Sequence, residues 1–393
     1  MEKPSDKLCE FLTKAYQCEG PIVVAVGVHG PTSAMTAAMS GYAVMGSRSP
    51  WVVHVSGFGV AAARFLLPDT GQIGWDEYFW EIRNIANNVL QNYPHCILTA
   101  DLDHGYGDAR IAAEHIAQVI RLGVAGFNLE DQQYEWDPGD DIYQELSKLY
   151  GEEAAAYFLK AKTNPRFHWF KSCGHIGSSS VILPGRLGGG KIVLPLGHML
   201  KKIEAVAAVR DQLAPEYGHV ALNARTDIFS TYPMNAGEEA IQDAIRRGNA
   251  YLEAGADSVY YEAVPPFDGI DELASIQRLV RETEGPCTFN ALRGGRTKER
   301  FNIRELEEMG VARVHLPTLS YQMYTQAMIA GFRQLWQTMD DSHIAALDFA
   351  ATAKMVGWPE YLRSVLATPT LLHEVVKQGG EKEMQSLIEK FSE

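Results

Sequence analysis

Eight short apolar runs recur along the chain: PIVVAVGV, SPWVVHVSG, HCILTAD, AGFNLED, HVALNAR, DSVYYEA, PCTFNA and ARVHLPT. Each is bounded by Gly, Pro, Asn, Asp or Ser and is short for a helix, the pattern of a buried strand. Between them lie stretches such as DARIAAEHIAQVIRLG, GEEAIQDAIRRGNAYLEAG and IDELASIQRLVRETEG. Their apolar residues fall at helical spacing, and each closes on glycine in the manner of a C-cap. Eight strands, each followed by a helix, predict an α/β fold of the closed parallel (β/α)₈ kind, the TIM barrel. At 393 residues the chain is long for one domain but not for such a barrel.

Polar groups gather where the apolar runs stop: Ser56, Asp101 with Asp103, Glu130, Arg225, Glu262, Asn290 and Thr318. In a parallel barrel those ends converge on one face, where active sites are built. Wet loops account for some of them. They do not account for acidic residues repeated after LTA, FNL and VYY.

Three regions exceed a minimal barrel. Residues 133–170 read as a helical insertion, and 171–190 as a serine- and glycine-rich gating loop. A tail at 321–393 holds GFRQLWQTM, SHIAALDFAATAKMVG and EKEMQSLIEKF, separated by Pro359 and Pro369. The expected organisation is a catalytic barrel at 1–320 and a helical extension at 321–393.

A hydrophobic content of 46% with 21% charged residues fits a globular protein with a large core, and the net charge of −14 argues against nucleic acid as a partner. Five scattered cysteines without a CxxC pair argue against a disulfide framework or a zinc site. No apolar run reaches membrane-spanning length, and MEKPSDKLCEFLTKAYQ lacks a secretory h-region, so a cytoplasmic protein is expected.

TADLDHGYGDAR places Asp101 and Asp103 two residues apart, with Gly105 and Gly107 to turn the backbone. With Glu130 from FNLEDQ they offer hard oxygen ligands suited to Mg²⁺ or Mn²⁺. A DxD alone is equally an ordinary acidic loop with an Asx turn. NARTDIF puts Arg225 at the end of a buried strand, where its fork suits a substrate carboxylate or a salt bridge to Glu262 or Glu130. In FKSCGHIGSSS, positive charge from Lys171 and His175 would draw the pKa of the Cys173 thiol down towards neutral pH, fitting it to give up a proton or attack as a nucleophile. An ordinary loop cysteine is the competing interpretation.

Taken in order, SGFGVAAARFLLPDTG, TADLDHGYGD, GFNLEDQ, KSCGH, KIEAVAAVRD with ALNARTD, and YLEAGADSVYYEA resemble the isocitrate lyase/phosphoenolpyruvate mutase superfamily over Val23 to Thr318. The resemblance implies a Mg²⁺ site, an α-hydroxy- or α-ketocarboxylate substrate, a gating loop, and a homotetramer whose eighth helix swaps between paired subunits. KSCGH is similar to the loop of the carbon–carbon lyase branch, isocitrate and 2-methylisocitrate lyases, in which the cysteine is the general acid. A base takes the 2-hydroxyl proton, the C2–C3 bond breaks, and glyoxylate or pyruvate leaves beside an aci-carboxylate that Cys173 would protonate. Lys171, His175 and Arg225 would steady the developing charge. Ser56, Gly57 and Phe58, with Gly174, Glu262, Asn290 and Thr318, match substrate-shell positions, and Asp69 joins Asp101, Asp103 and Glu130 in the metal network.

The chain departs from that pattern in places. His54 stands where the lyases carry a tyrosine that is a leading candidate for the base, and a histidine there can serve as base or simply pack. Arg293 in NALRGGRT replaces an acidic or small residue, to bind a further carboxylate or pair with an acid of the insertion. SSSVILPGRLGGGK lengthens the loop after KSCGH. These changes point to a hydroxylated di- or tricarboxylate other than isocitrate or methylisocitrate. The alternatives are an oxaloacetate-type hydrolase, a phosphonate-processing relative, or a non-catalytic barrel that binds a metabolite or partner.

Overall fold

A computed structural model of the chain describes residues 3–46, 51–66, 69, 73–132, 193–232, 237–262, 264, 272–291, 302–342 and 344–346, with isolated positions at 152 and beyond 350. Eight parallel strands close into a barrel in chain order. They are β1 (Val23–Val28), β2 (Trp51–Val55), β3 (Leu98–Asp101), β4 (Gly126–Glu130), β5 (Ala221–Thr226), β6 (Ser258–Tyr261), β7 (Cys287–Asn290) and β8 (Arg313–Leu316). Closure is made by β8 pairing with β1, Val24 opposite Val314 and Ala25 opposite His315. Each of the eight expected apolar runs holds one strand. The (β/α)₈ architecture is therefore present.

The helices are α1 (Pro4–Tyr16), α2 (Pro31–Met45), the single turn α3 (Gly57–Val60), α4 (Trp75–Asn92), α5 (Ala109–Arg121), α6 (Leu196–Tyr217), α7 (Gly237–Glu253), α8 (Glu272–Glu282), α9 (Ile303–Glu308) and α10 (Leu319–Thr338). Outward residues of β2 to β5, such as Val53, Leu98, Phe127 and Leu222, pack with Ile82, Ile116 and Ile203 of the surrounding helices. Val259, Phe289 and Val314 pack with Ile241, Leu279 and Leu306 on the other side. The alternation that hides one face of each strand against helices turns the other into the lumen.

The lumen's middle layer is polar. Asn223 donates to Asn128 Oδ1 at 2.8 Å and accepts from Ser258 at 2.7 Å and Thr288 at 3.1 Å, while Arg313 of β8 reaches Thr99 of β3 at 2.9 Å. Bonds between strands that are not neighbours must cross the interior. Side chains therefore fill this barrel with hydrogen bonds where branched apolar residues usually dominate.

Two compact units divide the chain, Met1–Met323 and Tyr324–Glu393, the division falling within α10. GFRQLWQTM belongs to α10 apart from its last residue, whereas the two later tail helices lie outside the described residues but for isolated positions. No helix among the described residues is long and apolar enough to cross a membrane.

At the opposite end from the strand tips, α1 seals the barrel. Leu8 and Leu12 pack on Val23, Val52 and Ala221, and Leu8 lies so near Gly126 that a β-carbon there would come within 2.8 Å of it. A polar clasp holds the seal: Asp6 accepts from the His219 backbone N–H at 2.8 Å and Cys9 Sγ donates to the His219 carbonyl at 3.3 Å. Asp257 in turn binds the His219 ring at 2.6 Å and Arg210 at 2.8 Å, and accepts from Leu222 N–H at 2.7 Å. The hydrogen bond that the His219 ring donates to the Asp257 carboxylate raises the His219 pKa above its ordinary 6.5. A raised histidine contributes stability that is complete below its unfolded value and is lost as pH rises through the folded one. Urea denaturation from pH 5 to 9 should therefore show wild type losing stability across that rise, with a flatter profile in H219Q. Parallel profiles would refute the clasp's protonation.

Candidate active site

Asp101 ends β3, and the chain then turns through left-handed backbone at Asp103 (φ 46°), Gly105 (φ 81°) and Tyr106 (φ 60°). Gly105 is demanded twice, by its φ and by Ala112, whose Cβ would sit 2.6 Å from any added one. Outside glycine such conformations are strained and persist where surrounding contacts impose them. Here Leu102 N–H donates to Asn128 O at 3.1 Å, Glu130 N–H donates to Asp103 O at 2.8 Å, and the Tyr106 hydroxyl donates to Asp103 Oδ2 at 2.8 Å. Behind Tyr106 stands Trp75, ring centroids 5.5 Å apart, which stacks on His115 at 4.0 Å.

Burial raises the pKa of both carboxyls. Asp103 is pushed up to about 8 by burial and then by Asp101 and Asp69, while at Asp101 Arg225 opposes the rise. Gly57 keeps the space between them open, because a β-carbon there would stand 3.1 Å from Asp103 Oδ1 and 3.6 Å from Asp101 Oδ2. The turn carrying Gly57 is fixed by Ser56, whose hydroxyl accepts from Gly59 N–H at 3.0 Å. Two carboxylates facing a glycine cradle are a donor set that fits Mg²⁺, which binds through one or two carboxylates and keeps several waters. Among the described residues, three ligand atoms within 4.8 Å of one another occur only at Cys9, His219 and Asp257, in the clasp below. Any ion at the mouth would thus draw on two carboxylates and water, with Glu130 and Asp69 around them.

Arg225, at the mouth end of β5, faces three acids. Its Nε lies 3.1 Å from Glu130 Oε2, its Nη2 lies 3.0 Å from Asp227 Oδ1, and Glu262 is 4.0 Å away. Burial works against the guanidinium charge, but Asp227, Glu130 and Glu262 outweigh it and hold the pKa above the usual range. The Tyr260 ring lies 5.2 Å from Arg225 Cζ, and its hydroxyl donates to Glu262 Oε2 at 2.7 Å, as does Asn290 Nδ2. Both of the roles expected of Arg225 need this position, and the ion pairs are present.

The remaining expected residues fall as follows. His54 is fully buried in the lumen, its Nδ1 2.8 Å from Thr99 Oγ1, and burial, then Arg313, drives its pKa well below the usual value. Phe58 packs edge-on to Tyr321 at 6.5 Å, and Thr318 is buried just beyond β8. Lys171, Cys173, Gly174, His175 and Arg293, with nearly all of the insertion 133–170 and the whole loop 171–190, lie outside the described residues. Where the chain leaves for that stretch and returns, Gln132 and Val193 form an antiparallel bridge. Asp227 was not expected, although it stands two residues after Arg225 in NARTD; nor were Tyr260, Arg313 and His315, hidden inside strands.

The arrangement defines a (β/α)₈ enzyme-like barrel with acidic and cationic groups converging at its strand tips. The family described as phosphoenolpyruvate phosphomutase matches residues 14–164 and 175–336, and the chain belongs to it. It is 27% identical over 333 residues to 2,3-dimethylmalate lyase of Eubacterium barkeri, covering 84% of this chain and 86% of that one. Identity to 2-methylisocitrate lyase of Shewanella oneidensis is 25%, covering 74% of each. A solved oxaloacetate acetylhydrolase bound to 3,3-difluorooxalacetate superposes with a TM-score of 0.65 at 19% identity, over 94% of this chain and 99% of that one, a likeness of fold.

Removing Arg225 leaves Glu130, Asp227 and Glu262 without their cation in a buried setting. R225M should lose about 3–5 kcal/mol of stability in urea denaturation, the cost of breaking a buried pair from one side. A loss below about 1 kcal/mol would mean that the acids are satisfied elsewhere.

Proposed function

We propose that the chain is a Mg²⁺-dependent carbon–carbon lyase that splits a 2-hydroxy di- or tricarboxylate into an α-keto acid and a second carboxylate. The observation that carries this is the pair of buried carboxylates, Asp101 and Asp103, around the Gly57 cradle and facing the Arg225 cluster. The lyase names of the relatives and the KSCGH motif support the choice of reaction.

Asp101 and Asp103, backed by Glu130 and Asp69, would hold the ion, which supplies a Lewis acid for the keto-acid oxygens. His54 takes the 2-hydroxyl proton. Its Nδ1 is committed to Thr99, and burial, then Arg313, holds its pKa well below the usual value, which keeps the ring neutral and makes it a weaker base than an exposed histidine. The C2–C3 bonding pair passes to the departing carboxylate fragment, and Cys173 gives that carbon its proton. Lys171, His175 and Arg225 balance the charge that develops before this transfer. The Gly57 backbone N–H, with Ser56, Phe58, Gly174, Glu262, Asn290, Arg293 and Thr318, orients the substrate; the Ser56 N–H expected to join it is instead taken by the Val28 carbonyl at 3.1 Å.

A panel of 2-hydroxy-3-substituted succinates assayed for keto-acid release tests the reaction. Wild type should release glyoxylate or pyruvate from at least one of them, and C173S should fall by about 10²–10⁴-fold, the worth of a positioned proton donor. Oxalate or phosphate release without keto acid would assign the hydrolase or phosphonate chemistry instead.

The expected homo-oligomer is part of the same proposal. Met328, Ile329, Phe332 and Trp336 of α10 are exposed apolar side chains of the kind an interface covers. Sedimentation velocity should give a tetramer that F332E/W336E shifts to smaller species, and a wild-type monomer would refute it.

A further inference from the structure

Arg313 opens β8 in the lumen with 0% exposure, and among the described residues its Nε and Nη1 have no hydrogen-bond partner. Its third nitrogen, Nη2, donates across the barrel to Thr99 Oγ1 at 2.9 Å, and that hydroxyl is shared with His54 Nδ1 at 2.8 Å. Two residues on and on the same face, His315 is 1% exposed and its Nε2 is likewise unpartnered. The His315 ring lies parallel to Tyr260 at 5.3 Å and edge-on to His54 at 4.4 Å. Tyr260 directs its hydroxyl to Glu262 at 2.7 Å and so does not serve the His315 nitrogen.

A buried guanidinium with two idle nitrogens is expensive; Nη2 lies between Nε and Nη1, so a carboxylate would pair one of them with the second Nη2 hydrogen. We propose that Arg313 and His315 form an anion subsite in the barrel lumen, and that it takes a carboxylate of the substrate. Continuity with the candidate active site runs through Tyr260, which touches His315 on one side and lies beneath Arg225 on the other. Burial weakens the hold of Arg313 on its proton, bringing its pKa down to about 10, as expected of a cation lacking a close acid. Asp101 acts on it only through space. A hydroxylated dicarboxylate leaves one carboxylate free of the keto-acid end, and this subsite would receive it. The ligand's identity rests on the lyase proposal; the anion subsite does not.

The test compares succinate with its half-amide, succinamate, by calorimetry in Mg²⁺ buffer free of chloride. Wild type should prefer succinate by roughly 10- to 100-fold, the worth of hydrogen bonds to a charged group. R313M should abolish the preference and R313K keep part of it, with circular dichroism confirming the fold. Should R313M not fold, R313K carries the comparison and should show a smaller preference than wild type. Equal affinity of wild type for the two ligands, or a preference unchanged in either folded variant, overturns the proposal. So does tight chloride binding that fails to compete with succinate, which would identify a structural halide. Keto-acid release is scored separately, so a failed lyase assay leaves this comparison intact, and a failed comparison leaves the lyase assay intact.

Discussion

The charge of Arg225 organises the mouth of the barrel. Glu130, Asp227 and Glu262 come from the ends of β4, β5 and β6, and close to one another they would repel. A single planar cation with five donors lets them coexist. The same network roots the long segment beyond β4. Gln132 Nε2 donates to Asp227 Oδ2 at 3.1 Å, and Asp131 accepts from Asp227 N–H at 2.9 Å and from the Thr226 hydroxyl at 2.7 Å. Asp131 O then takes the N–H of Leu194 at 2.7 Å as the chain returns. Ion pairing at the mouth and anchorage of the segment carrying KSCGH are thus one construction.

Much of this was legible in the sequence. The eight strands could be read because each is a short apolar run bounded by turn residues, and helices such as α5 and α7 because their apolar residues keep one face. Asp101, Asp103, Glu130, Arg225, Glu262 and Asn290 could be picked out because they stand where apolar runs stop. What the sequence hides is partnership across the lumen. Arg313 and His315 look like polar interruptions of a strand until closure brings β8 opposite β3, since Thr99 lies 214 positions away from Arg313. Asp227 escaped notice for a different reason: one turn residue after an arginine is common, and its role depends on Glu130 and Glu262 being near. His54 was weighed as a base of near-neutral pKa, but burial beside Arg313 lowers it, an effect that no local pattern encodes.

The polar lumen deserves comparison with an ordinary barrel interior. Layers of branched apolar side chains stabilise without direction, whereas Asn223, Asn128, Ser258 and Thr288 must each meet a partner at the right angle. That requirement stiffens the floor beneath Asp101 and Tyr260, and rigid support is what a preorganised site needs. The left-handed loop after β3 adds to this, with Tyr106 and the Trp75–His115 stack bracing Asp103 from outside.

The proposed reaction requires the acids at the strand tips to hold a divalent ion that anchors an oxo-acid. Crystals grown with Mn²⁺ and pyruvate, measured at the manganese absorption edge, test it most directly. One anomalous peak is expected about 2.1 Å from an oxygen of Asp101 or Asp103, the distance of a small hard cation, with the keto acid on it. A peak in the Cys9, His219 and Asp257 clasp, or pyruvate bound away from the mouth, would contradict it.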